Sequence, residues 1–528
     1  MEPEIKRGRE AGKQWPWAAA AIFGVAAALR FYDLALVPLH HDEGVNGRFL
    51  IKLLRDGIYR YDPANYHGPT LYYFACVAAV LRTHLWGEVG LNAVVIRFVP
   101  AAFGTATVWL VLKLRRHLGD YGALGAAALV ALSPGMIYFS RCFIHESLFV
   151  FFTLAIVVAG LGHHRTVRPV YLMLASASAA LLFATKETAF ISVAVLLLAW
   201  FLTLACFGAV AAWEKPSFDR RSRGKPEKPS PSLASLVYRV ARGKNAIFIL
   251  GAAAALFVAI YVAFYSSFGR NFPQGVYDSV AAFHYWTQTS ASAHTHDAWA
   301  YATWLRREEW PLLWLGVVGG VFAVRRGNNR FAFFCALWAA GIMVAYSILP
   351  YKTPWLAVNL ILPLALTGGY AVEEICAAAR RSLHPWMRVA WVLPVAVLLV
   401  ILSFPAIELN FYRYDDNSLP YVYAHTVRDF LRLIPQIEAI AARNGTGTDT
   451  EIMVVAPNYW PLPWYVRNYP RAAFWGRVAP TSDPIVIGQD FQESQMQAVL
   501  GDAYARVGYY ELRPDIVLVL YARRGLLP

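Results

Sequence analysis

Residues 17–36 read Trp17-Ala-Ala-Ala-Ala-Ile-Phe-Gly-Val-Ala-Ala-Ala-Leu-Arg30-Phe-Tyr-Asp33-Leu-Ala-Leu36, with Arg30 and Asp33 the only charges. A helix needs about 20 predominantly apolar residues to cross the hydrocarbon layer of a bilayer. Behind this block lie Lys6, Arg7, Arg9 and Lys13, and ahead of it comes polar His40-His41-Asp42-Glu43. The run is longer than a signal-peptide core and no small-x-small cleavage pattern follows it. It reads as an uncleaved first transmembrane helix that starts in the cytoplasm.

The rest of the chain repeats the pattern. Of its 528 residues 58% are apolar or aromatic, against roughly 45–50% in ordinary proteins. Charged residues make up 16%, where about 25% is usual, and the mean hydropathy is +0.40. These values exclude a soluble globular enzyme, a disordered chain and a fibrous repeat. Further apolar blocks follow at Gly68–Gly87, Leu91–Leu112, Tyr121–Ser140, Phe143–Gly162, Val170–Thr185, Thr188–Trp213, Ala246–Tyr265, Trp310–Val324, Phe331–Leu349, Trp355–Ala378 and Val389–Ile407.

The net charge is +14, carried largely by short basic runs between apolar blocks. That is the pattern of cytoplasmic loops rather than of a nucleic-acid surface, so no nucleic-acid partner is expected. The basic connections are Lys113-Leu-Arg115-Arg116-His117, His163-His164-Arg165-Thr-Val-Arg168, the stretch 214–245, Arg325-Arg326-Gly-Asn-Asn-Arg330, and Arg380-Arg381 with Arg388. All of them face the cytoplasm only if one block before Lys113 makes no net crossing. Gly68–Gly87 is that block, as a membrane-parallel or re-entrant helix. The expected fold is therefore an all-α polytopic membrane protein of about 11 transmembrane helices, N-terminus inside, with the C-terminus outside. The odd count of five cysteines, four of them within apolar blocks, argues against a disulfide framework.

The chain divides into a transmembrane module 1–213, a basic cytoplasmic linker 214–245, a second transmembrane module 246–407 with a long outer loop 266–309, and a segment 408–528 of mixed composition. The linker has nine Lys/Arg against three acids, with Pro, Ser and Gly between them; it serves as a solvated tether or touches anionic lipid. In the last segment a helical stretch near Tyr421–Arg443 precedes β-branched runs at Ile452–Ala456, Ile485–Gly488 and Ile516–Tyr521. Helix and strand alternate there, which predicts a small α/β extracytoplasmic domain.

With this topology, the polar groups that border apolar blocks sort to one side. Asp42-Glu43 and His67-Gly68-Pro69 occupy the first outer loop; Arg141 with His145-Glu146, Lys186-Glu187 and Tyr351-Lys352-Thr353-Pro354 stand at later outer turns. Ionisable residues at membrane depth are costly and usually functional or paired. Carboxylates accept protons or metals, and Arg or Lys holds an anion such as phosphate.

Six elements in this order resemble the GT-C glycosyltransferases, the superfamily of dolichyl-phosphate-mannose protein mannosyltransferases and lipid A aminoarabinose transferases. His41-Asp42-Glu43-Gly-Val resembles its DE motif, and Asn65-Tyr-His67-Gly68-Pro69-Thr-Leu-Tyr72-Tyr73 its lysine-proline motif before an aromatic run. Arg97 resembles the arginine opening the next span, and Ser140-Arg141-Cys-Phe-Ile-His145-Glu146 the arginine–acid pair. Phe183-Ala-Thr185-Lys186-Glu187 and Lys352-Thr-Pro354-Trp355 resemble the TKG turn and the late lysine/proline helix. The combination is most similar to a prokaryotic flippase activity-associated subfamily. Two positions depart from the superfamily pattern: His67 replaces its lysine, and Glu146 stands where it has Asp.

The resemblance implies inverting transfer of a sugar from a polyprenyl-phosphate-linked donor to a lipid, glycan or protein acceptor, at the outer face of a prokaryotic plasma membrane. It assigns Asp42 as base, with Glu43 as helper or metal ligand. Arg141, Lys186 and Lys352 would hold the donor phosphate, with His67, Arg97, Glu146 and Tyr351 around the substrate. No cofactor follows from the sequence, although Glu43, His294, His296 and Asp297 have the donor chemistry of a divalent metal site. Plainer readings stand beside these. Asp42-Glu43 can cap an interfacial helix, Glu146 can pair with Arg141, Lys186 and Lys352 can snorkel, and Arg30 can bond Asp33 or backbone. The aromatic runs Phe283-His284-Tyr-Trp286 and Asn458-Tyr459-Trp460-Pro-Leu-Pro-Trp464-Tyr465 fit an interfacial belt or sugar stacking. The competing functional class is a lipid-linked sugar flippase component, or an accessory protein that binds the lipid-linked sugar without chemistry. Against a transporter, the polar residues bunch at helix ends rather than the midplane, and no two related halves are evident.

Overall fold

In hydrocarbon every backbone N–H and C=O must be satisfied within the segment, which forces the apolar blocks into helices. A computed structural model describes residues 2–65, 67–87, 90–213, 246–292 and 295–527. The basic linker 214–245 lies outside the described residues. Among the described residues, helices long and apolar enough to cross a membrane cover Ala93–Lys113, Glu146–Thr166, Ala189–Phe207, Ile247–Tyr265, Arg330–Ile348, Pro354–Arg381 and Pro385–Tyr412. The helices Glu2–Phe31, Pro169–Phe183 and Trp310–Arg326 fill three more of the apolar blocks. The Gly68–Gly87 block forms Thr70–Trp86, a helix of 17 residues packed on Ala93–Lys113.

Two sequence-based expectations change. The block Tyr121–Ser140 is not one straight span but Asp120–Leu132 followed by Pro134–Arg141, bent by 63°. Pro134 lacks an N–H and clashes with a continuing helix behind it, while the Ser133 hydroxyl caps the new start by accepting from Met136 N at 3.2 Å. The region 266–309 is not simply a loop, because it contains the helices Gln274–Ser292 and Ala300–Glu308.

The central helix is Val358–Arg381, buried along most of its length and packed against Asp120–Leu132 and Trp310–Arg326. A second core, containing Leu50, Tyr59, Tyr72, Phe143 and Phe149, lies under the helix His41–Asp56 and also includes Trp464 from the C-terminal domain. The last domain is built on a mixed sheet in the order β2-β1-β3-β5-β4: β1 Ile452–Val454, β2 Ala472–Phe474, β3 Ile485–Gln489, β4 Tyr504–Arg513 and β5 Ile516–Arg523. β1 pairs in parallel with β2 and β3, and β5 is antiparallel to β3 and β4. Ile437 and Ile440 of helix Leu433–Asn444 cover one face; Met496 and Leu500 of helix Glu493–Leu500 cover the other. The three β-branched runs become β1, β3 and β5. β2 and β4 lacked that signal, and β4 carries Arg506, Glu511 and Arg513 among its aromatics. The helical stretch begins later than expected, with a 3-10 turn at Arg428–Arg432. Residues 421–427 stay irregular and place Tyr423 and Ala424 at a cavity.

The domain docks on the helix His41–Asp56. A Cβ added at Gly47 would stand 2.5 Å from the Trp464 ring, so only glycine allows this approach. Arg467 fastens the same joint by donating to the carbonyl of Leu91 at 2.7 Å.

Candidate active site

Between the first helix and residue 41 the chain runs in turns, with one internal backbone bond from Leu36 N to Asp33 O, so most of its carbonyls need donors from elsewhere. Two buried guanidiniums supply them. Arg97 donates to Leu34 and Val37 at 2.8 Å and to Pro38 at 3.2 Å, and Arg141 donates to Leu29, Tyr32 and Asp33. Arg30 is likewise spent on backbone, at Ala26, Val130 and Ala131. The strap thus held delivers His40 as N-cap of helix His41–Asp56. The His40 Nδ1 accepts from Asp42 N, and Glu43 accepts from His40 N.

At this helix start, neighbouring acids part ways. Glu43 turns inward and is fully buried, accepting from Arg97 Nε at 2.7 Å, Arg97 Nη2 at 2.6 Å, Phe143 N at 2.7 Å and His40 N at 2.9 Å. Asp42 turns into a cavity of about 370 Å³, with 39% of its side chain exposed there.

A second clamp builds the wall of that cavity. Gly68 N donates to Thr185 O at 3.0 Å, Thr70 N to Ala184 O at 3.2 Å, and the Thr70 and Thr185 hydroxyls bond at 2.8 Å. A Cβ at Gly68 would sit 2.1 Å from the Ala184 oxygen, so this backbone approach requires glycine. The clamp brings His67 Nδ1 within 3.0 Å of Glu187 and sets Lys186 Nζ on Glu146 at 2.6 Å, while His145 Nε2 meets the Gly68 carbonyl at 3.0 Å. Trp355, Tyr351, Tyr423 and Arg513 complete the enclosure.

The charges here are mutually adjusted. Burial opposes ionisation of Asp42, but His40, His41, His67 and Lys186 outweigh it and hold the carboxyl below its ordinary value. His41 is pushed down to about 4, chiefly by burial, and is neutral at physiological pH. Burial, with His67 and Lys186 nearby, drives His145 well below the usual histidine value.

No family model and no curated protein matches the chain. Solved structures do. ArnT from Cupriavidus metallidurans bound to undecaprenyl phosphate aligns over 95% of this chain and 97% of its own, with a TM-score of 0.65 at 15% identity. The chain shares the fold of this ArnT, the GT-C fold. The same ArnT in the apo state gives 0.61 at 14% identity over 95% and 97% of the two chains. The Archaeoglobus fulgidus oligosaccharyltransferase tethered with an acceptor peptide gives 0.54 at 14% identity, over 87% of this chain and 63% of that one.

Within this GT-C fold the expected site residues separate into two sets. Asp42, His67, Glu146 and Tyr351 line one cavity, and Lys186 reaches it through Glu146. Arg97, Arg141, Glu43 and Lys352 do not line it. The first three are structural clamps. Lys352 is buried with its Nζ donating to the carbonyls of Leu349 and His296. Glu146 pairs with Lys186, not with Arg141, because Arg141 points back at the strap while Glu146 starts the next helix facing the clamp. His294 lies outside the described residues. The His296 ring packs on Trp304 at 5.3 Å, Asp297 accepts from Trp299 N, and among the described residues no three metal-ligating side chains converge. Trp286 is buried against Phe190, and Trp460 lies 6.2 Å from the His41 ring.

Sequence reasoning missed Arg513 and Tyr423. They reach the cavity from 472 and 383 positions away from their contacts His41 and His40, and no local pattern marks them. His40 and His41 were visible beside the acidic pair but were given no role.

Proposed function

We propose that the protein is an integral membrane glycosyltransferase of a prokaryotic plasma membrane, moving a sugar from a polyprenyl-phosphate carrier to an acceptor hydroxyl on the extracytoplasmic side. The observation that carries this reading is Asp42, an ionised carboxylate open to a polar cavity that is also lined by His67, Glu146 and Arg513. The solved ArnT of the same fold holds undecaprenyl phosphate, which supports a carrier of that class here.

A hydroxyl is a poor nucleophile at neutral pH and needs a base aligned with the anomeric carbon. Asp42 takes the acceptor proton as the acceptor oxygen bonds to C1 of the sugar. The C1–O bond to phosphate breaks on the far side, its electron pair stays on the phosphate oxygen, and configuration inverts. Lys186 and His67, both within electrostatic reach of Asp42, stabilise the growing phosphate charge. Opening of the cavity to solvent lets Asp42 lose its proton afterwards.

The test is purified protein in nanodiscs with a panel of polyprenyl-phosphate sugars, comparing wild type and Asp42→Asn. Donor consumption should fall by roughly 10²–10⁴-fold, the share of a positioned general base, with the melting temperature little changed. Carrier flipping in vesicles that ignores Asp42, without donor consumption, would instead establish transport without chemistry.

A further inference from the structure

The GT-C helices and the C-terminal sheet meet at the cavity through one side chain, Arg513. It ends β4, just before the Pro514-Asp515 turn, and pairs in register with Ile516. Asp515 takes a positive φ of 64° in that turn. The β4–β5 ladder shifts register between Glu511 and Arg513. Such a bulge re-aims a side chain, and here Arg513 points into the membrane-side cavity instead of continuing the sheet face.

Arg513 is half-buried, and its bonding differs from that of the buried guanidiniums. Arg97 is saturated by Glu43 and three carbonyls; Arg30 and Arg141 bond carbonyls alone and, like Arg513, each keeps a buried Nε without a partner, but neither lines the cavity. Arg513 has an imidazole: Nη1 lies 3.2 Å from His41 Nδ1. Neutral His41 accepts that hydrogen bond, leaving its own ring proton on Nε2 as a donor. The Nε of Arg513 is buried with no hydrogen-bond partner, and among the described residues no carboxylate lies within ion-pair distance of it. Carbonyls hold Arg30 and Arg141 inside the protein, whereas Arg513 faces the cavity with Asp42 acting on it from beyond ion-pair distance, so an anion entering the cavity can complete its donors. The planar fork of the guanidinium suits a two-oxygen anion.

The charges around Asp42 also fall into two groups. His145 senses His67 and Lys186, whereas His41 senses His40 and Arg513; Asp42 is the neighbour common to both. Donor phosphate on the Lys186 side leaves Arg513 without a task in holding the leaving group.

We propose that Arg513, with His41, forms a second oxyanion subsite in this cavity, taking a phosphate or carboxylate of a bound substrate, so that the C-terminal domain takes part directly in substrate recognition. The subsite rests on the transferase reading for its biological meaning, but binding can be measured without turnover.

The experiment uses the full-length protein in nanodiscs. Binding of polyprenyl monophosphate, inorganic phosphate and the uncharged polyprenol is followed by tryptophan fluorescence, since Trp355 lines the cavity. Wild type is compared with Arg513→Gln, Arg513→Lys and Arg467→Gln, the last loosening the domain joint without touching the cavity. Arg513→Gln should weaken binding of at least one anion by about tenfold or more, the loss of a charge-assisted hydrogen bond, and leave polyprenol binding unchanged. Arg513→Lys should fall between, because it keeps the charge and loses the fork. Weakening confined to the lipid phosphate assigns the subsite to the carrier. Weakening confined to inorganic phosphate assigns it to an anionic acceptor. Unchanged binding of both anions in the Gln and Lys variants would overturn the subsite, as would an equal loss in Arg467→Gln, which would mark Arg513 as a mere fastening. Should Arg513→Gln fail to fold, Arg513→Lys with unchanged anion binding overturns it alone. Arg513-dependent binding alongside transfer that is absent in wild type would keep the subsite and sink the transferase reading.

Discussion

Asp42 and Glu43 are adjacent in sequence and share a helix turn, yet one is the most saturated carboxylate of the site and the other the most open. Glu43 receives four hydrogen bonds from Arg97, Phe143 and His40 in a dry setting. Asp42 faces the cavity, with His40 Nδ1 3.9 Å from its carboxylate. Consecutive helical side chains point about 100° apart, so a DE pair at an N-terminus can hold the strap with one acid and present the other. Glu43→Gln breaks this contrast most severely. It strands the Arg97 charge at 1% exposure, and losing one partner of a buried pair costs about 3–5 kcal/mol. The expected result is a large fall in the melting temperature and loss of protein from the membrane. Asp42→Asn, by contrast, should spare the fold and remove turnover. If Glu43→Gln melted like wild type, the strap would not depend on the clamp.

Gly68→Ala acts next in size, on the wall that carries His67 and Lys186. Its methyl group would meet the Ala184 carbonyl oxygen, a backbone atom that cannot step aside as a flexible side chain can. Overpacking of this kind costs roughly 1–3 kcal/mol. Because the clamp also positions Lys186 on Glu146, turnover should fall more than stability. Thermal melting and donor consumption measured on the same preparation separate these effects. An unchanged rate would detach the clamp from the chemistry.

The fold was largely legible because hydropathy and basic connections are properties of whole segments, readable without knowing contacts. The site was half legible. Asp42, His67, Glu146, Lys186 and Tyr351 stand out as polar residues beside apolar blocks, and they converge. Arg97 and Arg141 stand out by the same criterion but satisfy carbonyls of an irregular strap, which spacing cannot foretell. Nothing local distinguishes an arginine that holds backbone from one that holds substrate. Arg513 was hidden for the opposite reason: it sits in a polar domain where an arginine is ordinary, and only the bulge in β4 turns it toward the cavity.

Glu309 lies between the Asp42 and Glu43 extremes and gives the finest test of the contrast. Its Oε1 accepts from Ser133 Oγ at 2.7 Å and Gly135 N at 2.8 Å, at the bend of the broken helix. Its Oε2 is buried without a hydrogen bond. Burial raises the carboxyl from the ordinary 4.5 to about 8, despite the two donors, and neighbouring Glu308 is itself raised to about 7. A folded-state value above the unfolded one means the folded protein binds the extra proton. Its stabilising contribution is complete below pH 4.5 and is lost as pH rises through about 8. Glu309→Gln keeps an acceptor for Ser133 and Gly135 but cannot ionise. Wild type should therefore lose a few degrees of melting temperature between pH 5 and pH 9 that Glu309→Gln does not lose, with the two curves close together at the acid end. Parallel curves across the whole range would show that Glu309 is as well satisfied as Glu43, and that the helix bend carries no titrating group.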